Sequence, residues 1–172
     1  FFKTDGSLWA MGNNHSGELG DGTTVDSLIP VQTTITDVAS FSAEYSRSFV
    51  VKTDGSLWKS TGVGWEQVVD ANVTAVESGG GHTTFTKTDG SLWTIGYSTF
   101  GQLGDGAYAR RDSNPERVMD SGVVSAAGGG NHSVFAKSDG SLWAMGDNSN
   151  AQFGTGDTSN PKHPVEVLPS GV

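Results

Sequence analysis

This sequence predicts an all-β repeat protein of four-stranded antiparallel blades, a β-propeller, and three observations predict it. Near-identical heptapeptides, Lys-Thr/Ser-Asp-Gly-Ser-Leu-Trp, stand at Lys3–Trp9, Lys52–Trp58, Lys87–Trp93 and Lys137–Trp143. Their marker aspartates, Asp5, Asp54, Asp89 and Asp139, lie 49, 35 and 50 residues apart, a spacing that signals repeat architecture. Glycine is abundant at 25 positions against five prolines, which suits a chain of many tight turns. At 172 residues the expectation is a single repeat domain, with repeats at approximately 1-35, 36-71, 72-121 and 122-172.

Each marker segment reads as a hairpin. Val134–Lys137 and Leu142–Met145 are short β-prone runs around Asp139-Gly140, and glycine accepts the positive φ the turn demands. The same reading fits Asp5-Gly6, Asp54-Gly55 and Asp89-Gly90. Upstream, Val76–His82 and Ala126–His132 read as small-residue strands, whose glycines predict close approach of another backbone at the narrow inner end of a blade. Downstream come loops Gly17–Gly22, Gly101–Gly106 and Ala151–Gly156, each with an apolar residue 14 positions after the marker aspartate. A last strand is expected around Pro30-Val31, Val118-Met119 and Pro164-Val165. Four strands per repeat make a propeller blade, which must stack on neighbours to bury its faces. Trp9, Trp58, Trp93 and Trp143 are the expected inter-blade packing residues, because packing is what repetition requires.

Composition excludes several classes. A net charge of −9, from 19 acidic and ten basic residues, repels phosphate backbones and argues against nucleic acid as a partner. Four of the ten basic residues (Lys3, Lys52, Lys87, Lys137) repeat one position, leaving little for a basic patch. Without cysteine there is no disulfide, thiol nucleophile or thiolate metal site. No apolar run approaches the roughly 18 residues of a membrane span, so no membrane insertion is expected. The opening Phe1-Phe2-Lys3, already inside a repeat, and the ending Pro169–Val172 predict a piece of something longer.

The combination Gly-Gly-Gly-x-His, then Lys-Ser/Thr-Asp-Gly-Ser-Leu-Trp, Gly-x-Asn and Gly-Gln-Leu-Gly-Asp-Gly resembles the regulator of chromosome condensation repeat family. Copy four carries it from Gly128 to Gly156, copy three from Gly79 to Gly106, and copy one from Asp5 to Gly22. Copy two departs: Arg47 replaces the histidine, Glu44 and Tyr45 stand at glycine positions, and the Gly-Gln-Leu-Gly loop is gone. The resemblance implies a propeller, commonly seven-bladed, of which about three and a half blades are present. It also implies roles ranging from nucleotide exchange on small GTPases to chromatin association and, in bacteria, secreted protein binders. One scaffold serves all of these, so fold does not decide function.

Catalysis finds no support. The glycine-rich loops lack the following lysine and helix of a phosphate cradle. His82 and His132, on separate repeats, lack metal-pair spacing, and each reads as a structural histidine bonding a backbone carbonyl. Asp21-Gly22 and Asp105-Gly106 read as turn caps rather than Ca²⁺ ligands. No serine-histidine-aspartate set or acid–base carboxylate pair stands out. The expectation is no enzyme, no metal and no cofactor.

The deviations between copies carry the functional reading. Tyr108-Ala109-Arg110-Arg111 sets adjacent arginines beside an aromatic, the residue types enriched at binding hot spots. Tyr45, Arg47 and Trp65 mark the irregular second copy, Trp65 reading either as a recognition residue or as a plug over the missing loop. The leading expectation is a non-catalytic scaffold presenting Tyr108, Arg110, Arg111, Tyr45, Arg47 and Trp65 to a protein partner, with self-association as a way to close the ring. The alternative is a carbohydrate- or surface-associated module of a secreted bacterial protein, stacking sugars on Trp65 and Tyr97. GTPase exchange enters by family analogy alone.

Overall fold

In the computed structural model, which describes residues 1–171, the repeated heptapeptide closes the same turn four times. The N–H groups of Gly6, Gly55, Gly90 and Gly140 donate to the carbonyls of Lys3, Lys52, Lys87 and Lys137 at 2.9 to 3.0 Å. Each lysine N–H returns to the carbonyl of the following serine at 2.9 to 3.1 Å. The glycines sit at φ between 75° and 87°. The loop is therefore Thr/Ser-Asp-Gly, one residue longer than a two-residue Asp-Gly turn, with glycine taking the left-handed bulge position.

Side chains explain why the whole heptapeptide recurs. Each marker aspartate Oδ1 accepts the serine N–H two residues on at 2.9 Å and that serine's hydroxyl at 2.5 to 2.6 Å. The serine Oγ in turn accepts the tryptophan Nε1–H at 2.7 to 2.9 Å. The lysine Nζ lies over the tryptophan ring, 3.5 to 5.7 Å from its centroid. The serine hydroxyl first, and its N–H second, hold Asp5, Asp54, Asp89 and Asp139 below the usual carboxylate range.

The fourteen strands form one two-stranded and three four-stranded sheets, and among the described residues there is no helix. β1 (Trp9–Gly12) pairs antiparallel with β2 (Ser27–Gln32). β3 (Val38–Glu44), β4 (Arg47–Lys52), β5 (Leu57–Thr61) and β6 (Gly64–Val69) form the second blade, as an antiparallel meander. β7 (Val73–Ser78), β8 (His82–Lys87), β9 (Leu92–Gly96) and β10 (Arg111–Met119) form the third. β11 (Val123–Gly128), β12 (His132–Lys137), β13 (Leu142–Gly146) and β14 (Val165–Leu168) form the fourth.

Three local expectations need correction. The glycine runs are connections rather than strands: β7 stops at Ser78 and β11 at Gly128. Their glycines let two backbones meet, as Gly80 N–H donates to the carbonyls of Gly129 and Gly130 at 3.0 and 3.1 Å. The last strand of the third blade starts early, at Arg111, because Arg111 already pairs with Gly96. In the second blade, the Gly62-Val63 turn between β5 and β6 replaces the long loop, and Trp65 pairs opposite Ser60.

The close approach is testable. A Cβ on Gly79 would stand 2.3 Å from both the Gly129 carbonyl oxygen and the His82 ring, whereas one on Gly130 would meet nothing within 4 Å. Gly79→Ala is expected to cost about 1–3 kcal/mol by overpacking, and Gly130→Ala at most about 0.5 kcal/mol, read from chemical denaturation.

The chain divides into two compact units, Phe1–Val76 and Glu77–Val172. The first is centred on Leu8, Ile35 and Val50, with Trp58 and Trp65 packed alongside. The second is centred on Leu92, Val123, Phe135 and Met145, drawn from the third and fourth blades, with Trp143 alongside. The repeat tryptophans are half-buried at the rims of this packing, while Leu8, Leu57 and Leu92, each just before its tryptophan, are buried.

Candidate protein-interaction site

The loop after β9 begins from a buried polar nucleus. The Ser98 hydroxyl donates to the Ala107 carbonyl at 3.0 Å and accepts the Leu103 N–H at 3.4 Å. Leu103 is fully buried, and the Thr94 hydroxyl caps its carbonyl at 2.8 Å. Asn14 and Asn148 do the same work in their copies, accepting Leu19 N–H and Phe153 N–H at 2.9 and 3.0 Å. Sequence reasoning read Gly-x-Asn only as part of a motif. The signal available was an amide side chain five residues before the buried apolar loop residue in two of three copies.

Two blades of the second unit meet at this loop. Gly106 N–H donates to the Lys162 carbonyl at 3.0 Å, and Gly146 N–H to that of Pro161 at 2.9 Å. Arg111 Nε donates to Asp105 Oδ2 at 2.6 Å, and Glu116 lies 3.7 Å from its Nη1. The Asp105 side chain is 1% exposed, so Arg111 is a brace holding the loop to β10. This hydrogen bond holds the Arg111 guanidinium still more firmly protonated.

From that rigid base the loop presents an aromatic and cationic cluster. The Arg110 guanidinium carbon lies 4.2 Å from the Tyr97 ring centroid, and Lys162 Nζ 4.4 Å from that of Tyr108. Both tyrosines are exposed, at 37% and 54%. Arg110 also pairs with Asp112.

Tyr108 and Arg110 thus stand together at the surface, with Arg111 beneath them as the brace. Tyr45, Arg47 and Trp65 belong to the first unit. Tyr45, at the β3–β4 turn, is 92% exposed. The Arg47 side chain is 17% exposed, its Nε 3.9 Å from Glu44. Trp65 donates Nε1–H to the Gly20 carbonyl at 3.0 Å and packs against the core of Leu8, Ile35 and Val50. The plug reading of Trp65 describes this position, with the indole lying against the first copy's loop.

The histidines link blades instead of forming a reactive centre. The Ser133 hydroxyl donates to the Gln102 carbonyl at 2.9 Å, so its oxygen accepts the proton of His82 Nε2, 2.8 Å away. The carbonyl expected for His82 is therefore reached through a serine of the next blade. Burial first, and the neighbouring His132 second, lower the His82 pKa to about 4. His132 is half-buried, with its ring edge-on to Phe153 at 5.9 Å. Among the described residues no group of three or more histidine and acidic side chains is arranged to hold a metal.

Comparison with known proteins fits this architecture. The Regulator of chromosome condensation (RCC1) repeat model matches residues 5–45 and 89–136, more than half the chain, and a second model of that description matches 123–152. The Ultraviolet-B receptor UVR8 of Arabidopsis thaliana is 30% identical over 125 residues, covering 59% of this chain and 28% of that protein. A chain in the crystal structure of Kap60 bound to yeast RCC1 (Prp20) superposes with a TM-score of 0.83 at 18% identity, covering 98% of this chain and 46% of its own length. Human WBSCR16 gives the same TM-score and identity, with 98% of this chain and 50% of that one covered. Prp20p of Saccharomyces cerevisiae gives 0.83 at 16% identity, with 98% and 48% covered. The chain spans half or less of the length of these proteins, and the solved structures share its fold. By its repeated turn, its four-stranded blades and these matches, the chain belongs to the Regulator of chromosome condensation (RCC1) repeat family of β-propellers.

Proposed function

We propose that this chain is a non-catalytic protein-binding scaffold whose partner docks on Tyr97, Tyr108, Arg110 and Lys162. The observation that carries the reading is a pair of exposed tyrosines, each with a cation against its ring, set on a loop braced from two blades. Aromatic and arginine side chains on a rigid base give contact area at low ordering cost. Arg111, Arg47 and Trp65 support their loops from inside, and Tyr45 offers a separate contact in the first unit. Sugar stacking has less support, because Trp65 is packed internally and Arg110 lies over the Tyr97 ring.

The structural relatives suggest which ligands to test. The Prp20p structure was described together with that protein's binding to Gsp1p and histones. A net charge of −9 favours a basic partner such as histones. Binding to histones and to a Gsp1p-type GTPase, with nucleotide exchange followed in the same samples, separates scaffold from exchange factor. The Tyr108→Ala, Arg110→Ala double variant is expected to weaken partner binding at least about tenfold, with Tm unchanged. Unchanged affinity, or loss of folding, would remove these residues as surface contacts.

A further inference from the structure

The first blade is unlike the other three. On one side β1 pairs with β2, but on the other its ladder reaches only Phe1 and Phe2. Trp9 N–H donates to the Phe1 carbonyl at 3.0 Å, and the Phe1 ammonium to the Trp9 carbonyl at 2.8 Å. Phe85 and Phe135 face Trp93 and Trp143 at this same register position and are 1% exposed, whereas Phe1 is 48% exposed. Beside it runs a groove of about 410 Å³, walled by Leu8, Leu19, Phe41, Val50 and Trp65. Phe41 and Met11, which also line it, are 43% and 59% exposed, forming an apolar patch next to an unpaired strand edge.

Two polar groups in the groove wall specify what could sit there. Thr33 is 6% exposed, and its Oγ1 is buried without a hydrogen-bond partner. The Glu44 side chain is 2% exposed and replaces the glycine of the other copies. In the second unit the equivalent hairpin tips meet through backbone, Gly80 N–H donating to the carbonyls of Gly129 and Gly130.

We propose that this groove seats a glycine-tipped β-hairpin of the protein's own repeat type, adding antiparallel to β1 and completing the first blade. Its apolar residues cover Phe1 and Phe41, and the backbone N–H groups of its tip approach the Glu44 carboxylate. Strand addition supplies main-chain hydrogen bonds, while the groove selects alternate apolar side chains.

The test uses a synthetic peptide with the sequence of Val123–Phe135, which contains the glycine tip of β11–β12, against a peptide of reversed sequence. Binding is followed by NMR of the Trp9 and Trp65 indole N–H signals, since both side chains line the groove. The expected result is a saturable shift of these two signals with the native-order peptide and a higher Tm. Phe41→Glu and Met11→Glu, both at exposed positions, should each weaken that binding at least about tenfold while leaving the free protein folded. The proposal is overturned by no saturation, by equal response to the reversed peptide, or by variants that bind as before. Self-association of the chain through this face that the peptide does not dissociate would overturn it as well.

Discussion

Phe135→Ala is expected to destabilise the second unit by about 3–5 kcal/mol, the largest effect of any single substitution considered. The ring is 1% exposed, stacked on Trp143 at 6.3 Å with 12° between planes, and shares a cluster with Leu92, Val123 and Met145. Leu92 belongs to the third blade and Phe135 to the fourth, so the truncation removes a contact within a blade and another between blades. The cavity adds to the lost transfer energy because two sheets anchored at the same interface cannot close the gap freely. Urea denaturation should show a lower midpoint with little change in slope. Phe1→Ala, at the matching register position but 48% exposed, is expected to cost under about 0.5 kcal/mol. A loss below about 1 kcal/mol for Phe135→Ala would mean that the neighbours collapse into the space.

Stability should also fall between pH 6.5 and about 4 because of His82 alone. Its ring is fully buried, its Nε2 proton is given to Ser133, and its Nδ1 is buried with no hydrogen-bond partner. Protonation would place a charge at Nδ1 with nothing to receive it, which is the physical content of a pKa lowered from 6.5 to about 4. With the folded value below the unfolded one, the unfolded chain takes up the proton first. The stabilisation is complete above pH 6.5, declines as pH falls towards 4, and has no further pH dependence below that. The gap corresponds to about 3 kcal/mol. Denaturation midpoints across this range should show the step in the wild type and lack it in His82→Gln. The marker aspartates do not blur it, since their lowered values place their own losses below the ordinary carboxylate value of 3.8. A step of equal size in His82→Gln would assign it elsewhere.

The residues legible in the sequence were those whose chemistry is local. Lys-Thr/Ser-Asp-Gly-Ser-Leu-Trp determines its own turn, because Gly6, Gly55, Gly90 and Gly140 need positive φ and the aspartate, serine and tryptophan bond within five residues of one another. Four such turns at repeat spacing were enough to predict blades. Which residue in each motif bears the packing was less visible: tryptophan is the larger, but its Nε1–H bond to serine and the lysine above it hold the ring at the rim, and the leucine before it is buried.

What only the tertiary structure decided depends on pairs far apart in the chain. Arg110 and Arg111 are adjacent and alike in sequence, yet one lies over Tyr97 at the surface and the other is tied to the buried Asp105. His82 and His132 occupy one repeat position, but only His82 has the next blade's serine, 51 residues on, against its ring. Trp65 became internal through the Gly20 carbonyl, 45 residues away. Periodicity in the sequence determined the unit that repeats, because a turn and its hydrogen bonds close over a few residues. The burial and role of each copy's residues waited on the neighbouring blade, because desolvation and packing are properties of the surfaces that meet.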